Sequence, residues 1–227
     1  MSNLERSERD AILLHVVFGI VVLLVLVISL GIPVGQRLCG LVVFYNVALP
    51  ALAWRRGHAE WLRLWAFLAP LSALQVFPDW FLADQLDVLV FPDTGSPLIG
   101  VVPVYMAGLW TIPLFIIVLL GRRVAVRGRR DIVPALVAAA SLLLFVGSEA
   151  TLWRIPIWRA QGVTMVAHVA LYLLVPEAVL GLAAFVAYES TLGRSVWHRL
   201  SAAFTVMLIY LGGVCLFYFV VERLLLA

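Results

Sequence analysis

The chain has no lysine, two cysteines and few charges of either sign. Charged residues make up 13% of its 227 positions, against 64% that are hydrophobic. Each shortage excludes something. Without lysine no Schiff base can form, so a retinal-binding seven-helix protein is ruled out. Cys39 and Cys215 lie inside apolar runs with no CxxC neighbour, which assigns them to packing rather than to metal or redox chemistry. There is no HExxH, no clustered histidine box, no GxSxG and no glycine-rich phosphate loop. Metalloproteolysis, desaturase-like di-iron chemistry and hydrolysis by an exposed serine are therefore disfavoured. His15 and His168 fall at different depths of the predicted bundle, and His58 and His198 fall in connectors, so no haem ligand pair is expected. The sixteen basic residues are all arginine and sit at the ends of apolar runs, not in a nucleic-acid-like patch.

What is present is a set of long apolar runs. A soluble domain would carry roughly twice this charged fraction, and a spanning helix needs about 20 apolar residues. The runs do not alternate as barrel strands do, and backbone in lipid must satisfy its own hydrogen bonds. The expectation is one all-α integral membrane domain covering 1–227. Seven spans are expected at about 11–31, 37–54, 59–77, 98–121, 132–149, 163–188 and 201–221. The first run follows Arg6 and Arg9 but is too long for a signal peptide, and Gly31–Gly35 offers no small-x-small cleavage site, so it reads as a retained helix.

Seven spans put the termini on opposite sides, and arginine placement sets the orientation. One side holds Arg6, Arg9, Arg55, Arg56, Arg63, Arg122, Arg123, Arg127, Arg129, Arg130, Arg194 and Arg199. The other holds Arg37, Arg154, Arg159 and Arg223. The N-terminus is expected in the cytoplasm and the C-terminus on the far side, in the inner (plasma) membrane of a bacterium. The arginine run over 121–130 reads as a topology signal. The odd helix count and the lack of an internal repeat speak against an inverted-repeat transporter.

Acids at the far side carry the candidate chemistry. The connector from Phe77 to Asp93 holds Asp79, Asp84, Asp87 and Asp93 and no basic residue. Acids among aromatics at a membrane boundary are a functional-site hypothesis by default. Asp79 and Asp93 each follow a proline, which fits a turn and a helix cap as well as catalysis. Asp84 and Asp87, three apart, suit a short helical face or plain solvation. Glu149 ends the fifth predicted span and Glu222 the seventh. Glu177 lies near the middle of the sixth, after Pro176, on a face with the small residues Ala170, Gly181 and Ala184. A carboxyl carried into hydrocarbon without a partner favours its neutral form, and a neutral carboxylic acid is a competent proton donor. A structural hydrogen bond is the competing role for Glu177. The cytoplasmic half looks poor in buried acids. No organic cofactor is implied. A divalent cation among the outer acids would suit their oxygen ligands, and no DDxxD cluster for diphosphates is present.

The fourth predicted span holds Pro103, Met106, Trp110 and Pro113 on one face, and two prolines would bend it and open room for a ligand. Trp80, Tyr105, Met106 and Trp110 are the candidate lining of an apolar, electron-rich pocket that favours cations. Trp153 and Trp158 fit an interfacial belt. Trp153 and Arg154 are also candidate substrate contacts, with Arg154 placed to pair with a nearby acid.

The stretch from Asp93 to Pro103, followed by Leu109 and Trp110, resembles one in small carotenoid-processing membrane proteins, the carotenoid hydratases and bacterial-type lycopene cyclases. The resemblance covers about 20 residues. It implies a compact bundle acting on lipid-dissolved polyenes, with a Gly-x-x-Pro element opening a helix beside acids. The cyclases' Pro-Glu-Glu is replaced here by Pro103, Val104 and Tyr105. Membrane-bound terpene cyclases share the size and helix count, without their tryptophan–glutamate element.

Together these readings favour an intramembrane enzyme that cyclises, hydrates or isomerises an isoprenoid-type lipid by carboxylic-acid protonation. Asp79, Asp93, Glu149 and Glu177 are its candidate catalytic acids. The alternative is a small proton-coupled transporter or a lipid-binding assembly subunit. The expected partners are the bilayer and a hydrophobic lipid substrate, with no nucleic acid; the sequence is silent on oligomeric state.

Overall fold

The computed structural model describes residues 3–28, 31–155 and 157–225. Residues 29 and 30, near the end of the first expected span, lie outside the described residues. Among the described residues seven helical stretches are long and apolar enough to cross a membrane: Glu5–Val27, Val34–Arg56, Ala59–Gln85, Met106–Val126, Val133–Leu152, Leu171–Ser190 and Val196–Leu225. The fold is an all-α membrane bundle. Its elements are α1 (Asn3–Val27), α2 (Val34–Arg56), α3 (Ala59–Leu74) continued by α4 (Val76–Trp80), α5 (Met106–Leu109) continued by α6 (Thr111–Val126), α7 (Val133–Leu152), α8 (Leu174–Ser190) and α9 (Val196–Tyr218).

Helix ends follow local chemistry. Gly57 closes α2 in the left-handed region at φ 74°. The His58 N–H then reaches back to the Ala53 carbonyl at 2.8 Å, as in a Schellman cap. At the other end of the bundle the Arg37 guanidinium donates to the carbonyls of Val25, Leu26 and Ile28 at 3.0–3.4 Å, which satisfies the orphaned last turn of α1.

Two expected spans begin later than their hydropathy suggests. Residues 98–103 form a hairpin of β2 (Leu98–Ile99) and β3 (Val102–Pro103), and a third strand, β1 (Leu89–Val90), precedes it. Gly100, with φ 63°, supplies the positive φ that a two-residue turn demands. Pro103 is therefore a strand residue, and the expected double-proline bend of the fourth helix does not form; the Gly-x-x-Pro element is the hairpin before α5. Likewise β5 (Met165–Val166) pairs with β6 (Val169–Ala170). Its turn residues Ala167 and His168 both have positive φ. His168 and Ala170 thus lie outside the sixth helix, and Glu177 sits in its first turns rather than its middle. Both hairpins are apolar, so composition cannot tell them from helix.

The third span runs on past Phe77 and ends in a π-helical turn, Phe81–Gln85. Asp79 is inside this span and caps no following helix. Asp87 lies beyond it with φ 53°, so Asp84 and Asp87 share no helical face. The strand β4 (Arg159–Ala160) pairs antiparallel with β1, Leu89 opposite Ala160 and Val90 opposite Arg159. The Gln161 side chain adds bonds to the Asp87 carbonyl and carboxylate at 3.1 and 2.8 Å. The connector with the aspartates is thereby tied to the one between α7 and α8.

The opposite, arginine-rich end is held by ion pairs. Glu60 at the start of α3 accepts from Arg122 at 2.5 Å and from Arg123 at 2.8 Å, and Arg122 also pairs with Glu189 of α8. Arg123 and Trp61 both donate to Ser7 of α1, at 2.9 and 3.0 Å. Asp10 is buried there, with His58 at 2.9 Å and Arg56 at 3.9 Å. This end therefore does contain a buried acid, contrary to the sequence expectation. The arginines expected only to set topology also join α1, α3, α6 and α8.

Between α7 and α8 the contact depends on a small residue at Gly181, one of the small residues expected on this face. A Cβ on Gly181 would overlap the Ser141 hydroxyl and come within 3.3 Å of Ile117. Gly181→Leu should lower stability by about 1–3 kcal/mol, read as an earlier melt in detergent. Gly147→Leu should be nearly silent, because nothing lies within 4 Å of that position. Glu60→Ala leaves the buried Arg123 without its carboxylate and Arg122 with Glu189 alone, and should cost on the order of 3 kcal/mol in the same assay.

Candidate functional site

A cavity of about 540 Å³ occupies the half of the bundle that bears the aspartates. Every spanning segment contributes to its wall. Phe18, Val22 and Leu26 come from α1, Leu38 and Leu41 from α2, and Leu144 and Leu152 from α7. Its polar groups are few: Asp79, Glu149, Glu177, Ser148, Tyr172, Tyr210, His168 and Arg159. A mostly apolar hollow with a few convergent polar groups is the usual form of a small-molecule site.

Three of the four candidate acids meet here. Asp79 is buried and accepts from the Trp110 indole N–H at 3.2 Å. The indole ring packs on Phe145 and Tyr210, with centroids 5.5 and 5.7 Å away. Glu149, at the end of α7, accepts from the Ala170 N–H at 3.1 Å, so the β5–β6 hairpin fixes its carboxylate. Glu177 is 3% exposed, and its Oε2 has no hydrogen-bond partner. Glu149 and Glu177 lie within electrostatic reach of each other, and Tyr210 within reach of both and of Asp79. Among the described residues none of the three acids forms an ion pair with an arginine, unlike Glu60 and Asp10 at the other end.

The fourth candidate, Asp93, is exposed and away from the cavity. Its carboxylate accepts from the Gly95 N–H at 3.0 Å, which closes a tight turn. Asp93 is a turn residue because a short carboxylate two positions before a left-handed glycine bonds its own backbone first. Of the candidate lining residues, Met106, Trp110 and Trp153 face the cavity. Trp80, Tyr105 and Arg154 do not line it. Trp80 lies against Gly100 on the surface. Tyr105 donates to the Ile157 carbonyl at 3.0 Å, and burial pushes its hydroxyl pKa up, which keeps it a donor. Arg154 lies over the Trp153 ring at 5.3 Å and, among the described residues, forms no ion pair with an acid.

Trp158, assigned to the belt by its position, also lines the cavity. So does His168, stacked on Trp153 at 4.2 Å. Tyr172 and Tyr210 are the site residues that sequence reasoning missed. Tyr210 was legible as a hydroxyl within the last apolar run, where polar groups are expensive. Tyr172 carried no separate signal. Among the described residues no three of His, Cys, Asp and Glu gather to hold a metal ion. The outer aspartates disperse instead: Asp84 binds Gln85, Asp87 binds Gln161 and Asp93 binds Gly95.

Residues 76–221 match the family model described as Domain of unknown function (DUF6989). The chain belongs to that family. The DUF6989 region takes in Asp79, Trp110, Glu149, Glu177 and Tyr210, whereas α1, α2 and α3 precede it. No curated protein and no solved structure matches the chain.

The Trp110–Asp79 bond has a direct test. Trp110→Phe keeps a ring but removes the N–H, and stranding the buried acceptor should cost about 1–3 kcal/mol. In an Asp79→Leu background the same change should cost less than half as much.

Proposed function

We propose that this protein is an intramembrane acid–base enzyme acting on an isoprenoid-type lipid. The observation that carries the reading is that Asp79, Glu149 and Glu177 line one apolar cavity and, among the described residues, form no ion pair with an arginine. Desolvated carboxyls in such a place serve as proton donors and acceptors. The catalytic assignment is Glu177 as acid and Glu149 as base, with Asp79 oriented by Trp110. Asp93 has no part in it.

The chemistry needs only the substrate and these groups. Glu177 donates its proton to an alkene carbon or an epoxide oxygen. The π pair forms the new C–H bond, or the C–O pair leaves with the protonated oxygen, and a carbocation results. The faces of Trp110, Tyr172, Tyr210 and Phe145 favour that charge. Glu149 then takes a proton from an adjacent carbon to give an alkene, or from an attacking water to give an alcohol. Proton exchange between the two carboxyls restores the starting state. Cyclisation, isomerisation and hydration differ in how the same cation is quenched.

Support also comes from the rival reading's requirements. Proton-coupled transport needs a polar path toward both faces. At the arginine-rich end the polar groups close on one another as Asp10–His58 and as His15–Tyr45, the latter at 3.0 Å. Phe115 stacks on His15 and Phe18 packs at a tilt against Tyr45, so aromatic rings adjoin this pair on the way to the cavity.

The test is mass spectrometry of lipids after incubating membranes containing the protein with polyene, polyprenyl and epoxy-isoprenoid substrates in deuterated water. Carbon-bound deuterium is expected in products of alkene protonation, and a ring-opened or cyclised alcohol from an epoxide. Glu177→Gln should lower turnover by about a hundredfold or more, and Glu149→Gln comparably. No turnover across the panel, together with substrate-driven proton uptake into proteoliposomes, would replace the enzyme with the transporter.

A further inference from the structure

We propose that a single-chain lipid with a hydrogen-bonding end group enters the cavity sideways from the bilayer, through the seam between α1 and α7, and rests with that end group on Glu177. This rests on the reading of the cavity as a lipid site and adds the route, the orientation and the class of ligand.

The route follows from which helices touch. Both α1 and α7 supply cavity wall: Phe18, Val22 and Leu26 on one, Leu144, Ser148 and Leu152 on the other. Yet α1 packs along α2, and α7 along α6 and α8, with no comparable packing between α1 and α7 among the described residues. The cavity therefore reaches the gap between two helices whose outer faces are apolar. Leu23 on α1 is 65% exposed and Leu143 on α7 is 75% exposed. A hydrocarbon chain meets no polar barrier there. The connector face is the harder path. There the β1–β4 ladder and the Gln161–Asp87 bonds join the two connectors whose residues Leu89, Phe91, Trp158 and Ala160 line the cavity.

The orientation follows from the acids. Glu177 Oε2 is buried and without a partner, and a buried polar atom left unpaired carries a penalty of about 1–3 kcal/mol. A pure hydrocarbon would leave it so. A hydroxyl, carbonyl or epoxide end group pairs with it. The apolar residues of α1 and α7 then lie along the chain, and a volume of about 540 Å³ suits one such chain rather than a two-chain phospholipid.

The experiment uses the full chain in lipid nanodiscs and a farnesol-type isoprenoid alcohol carrying a photoreactive diazirine at its hydrocarbon end. Labelled peptides are expected to contain the α1 and α7 residues of the seam. Unlabelled alcohol should compete at about tenfold lower concentration than the matching hydrocarbon. Val22→Trp should cut labelling severalfold, and Glu177→Leu should erase the alcohol's advantage while labelling persists. Labels confined to residues 89–91 and 157–160 would overturn the route. Equal competition by alcohol and hydrocarbon in the unaltered protein would overturn the orientation. A Val22→Trp protein that changes its oligomeric mass without losing label would give the seam to a second copy. Seam labelling without turnover of any substrate would sink the acid–base enzyme and leave the lipid seat standing, so the two failures are told apart.

Discussion

A carboxyl buried in an apolar bundle has to be partnered, and the partner it gets decides what it does. This chain uses both available answers, one at each end. At the arginine-rich end Glu60 and Asp10 meet guanidinium and imidazole groups, and the result is a structural joint. At the other end, among the described residues, Asp79 and Glu149 accept from neutral N–H donors and Glu177 Oε2 has no partner. A pair with arginine fixes a charge, whereas a carboxyl held by an indole or amide N–H stays free to exchange its proton.

The rest of the architecture keeps those acids in place around a hollow. The ion pairs and the Arg123–Ser7 bond tie α1, α3, α6 and α8 together at the end away from the acid-lined hollow. Close approach of α7 to α8 at Gly181 and Ser141 brings the helices bearing Glu149 and Glu177 side by side. The hairpin β5–β6 then orients Glu149 through a single backbone bond, and the β1–β4 ladder ties the connectors over the acids. Apart from its polar contacts with α3 and α6 at the arginine-rich end, α1 packs chiefly along α2, and the proposed lipid entry lies on the side this leaves.

Much of the fold was legible in the sequence because long apolar runs without charges have few other solutions in water or lipid. The spans that began late were misread for a clear reason. Hydropathy reports burial, and the hairpins at 98–103 and 165–170 are as apolar as the helices they precede; only the positive φ at Gly100 and at Ala167–His168 sets them apart. The cavity-lining Asp79, Glu149, Glu177, Trp110 and Trp153 were legible because acids and large aromatics in membrane segments are expensive, and Met106 because it shares a helical face with Trp110. Asp93 was misassigned because a turn aspartate and a catalytic one look alike in sequence. Tyr172 and Tyr210 were missed because a tyrosine in an apolar run passes for packing until its hydroxyl is seen beside an acid. Arg154 was expected near an acid from its position alone, and its guanidinium went to the neighbouring indole.

The central claim is that Asp79 and Glu177 serve one ligand in one cavity. A double-mutant cycle tests it most directly, with the affinity of an epoxy-isoprenoid measured in the unaltered protein, Asp79→Asn, Glu177→Gln and the double variant. Two acids sharing a ligand should be non-additive by more than about 0.5 kcal/mol. Additive effects, or an affinity that neither substitution changes, would contradict a shared site.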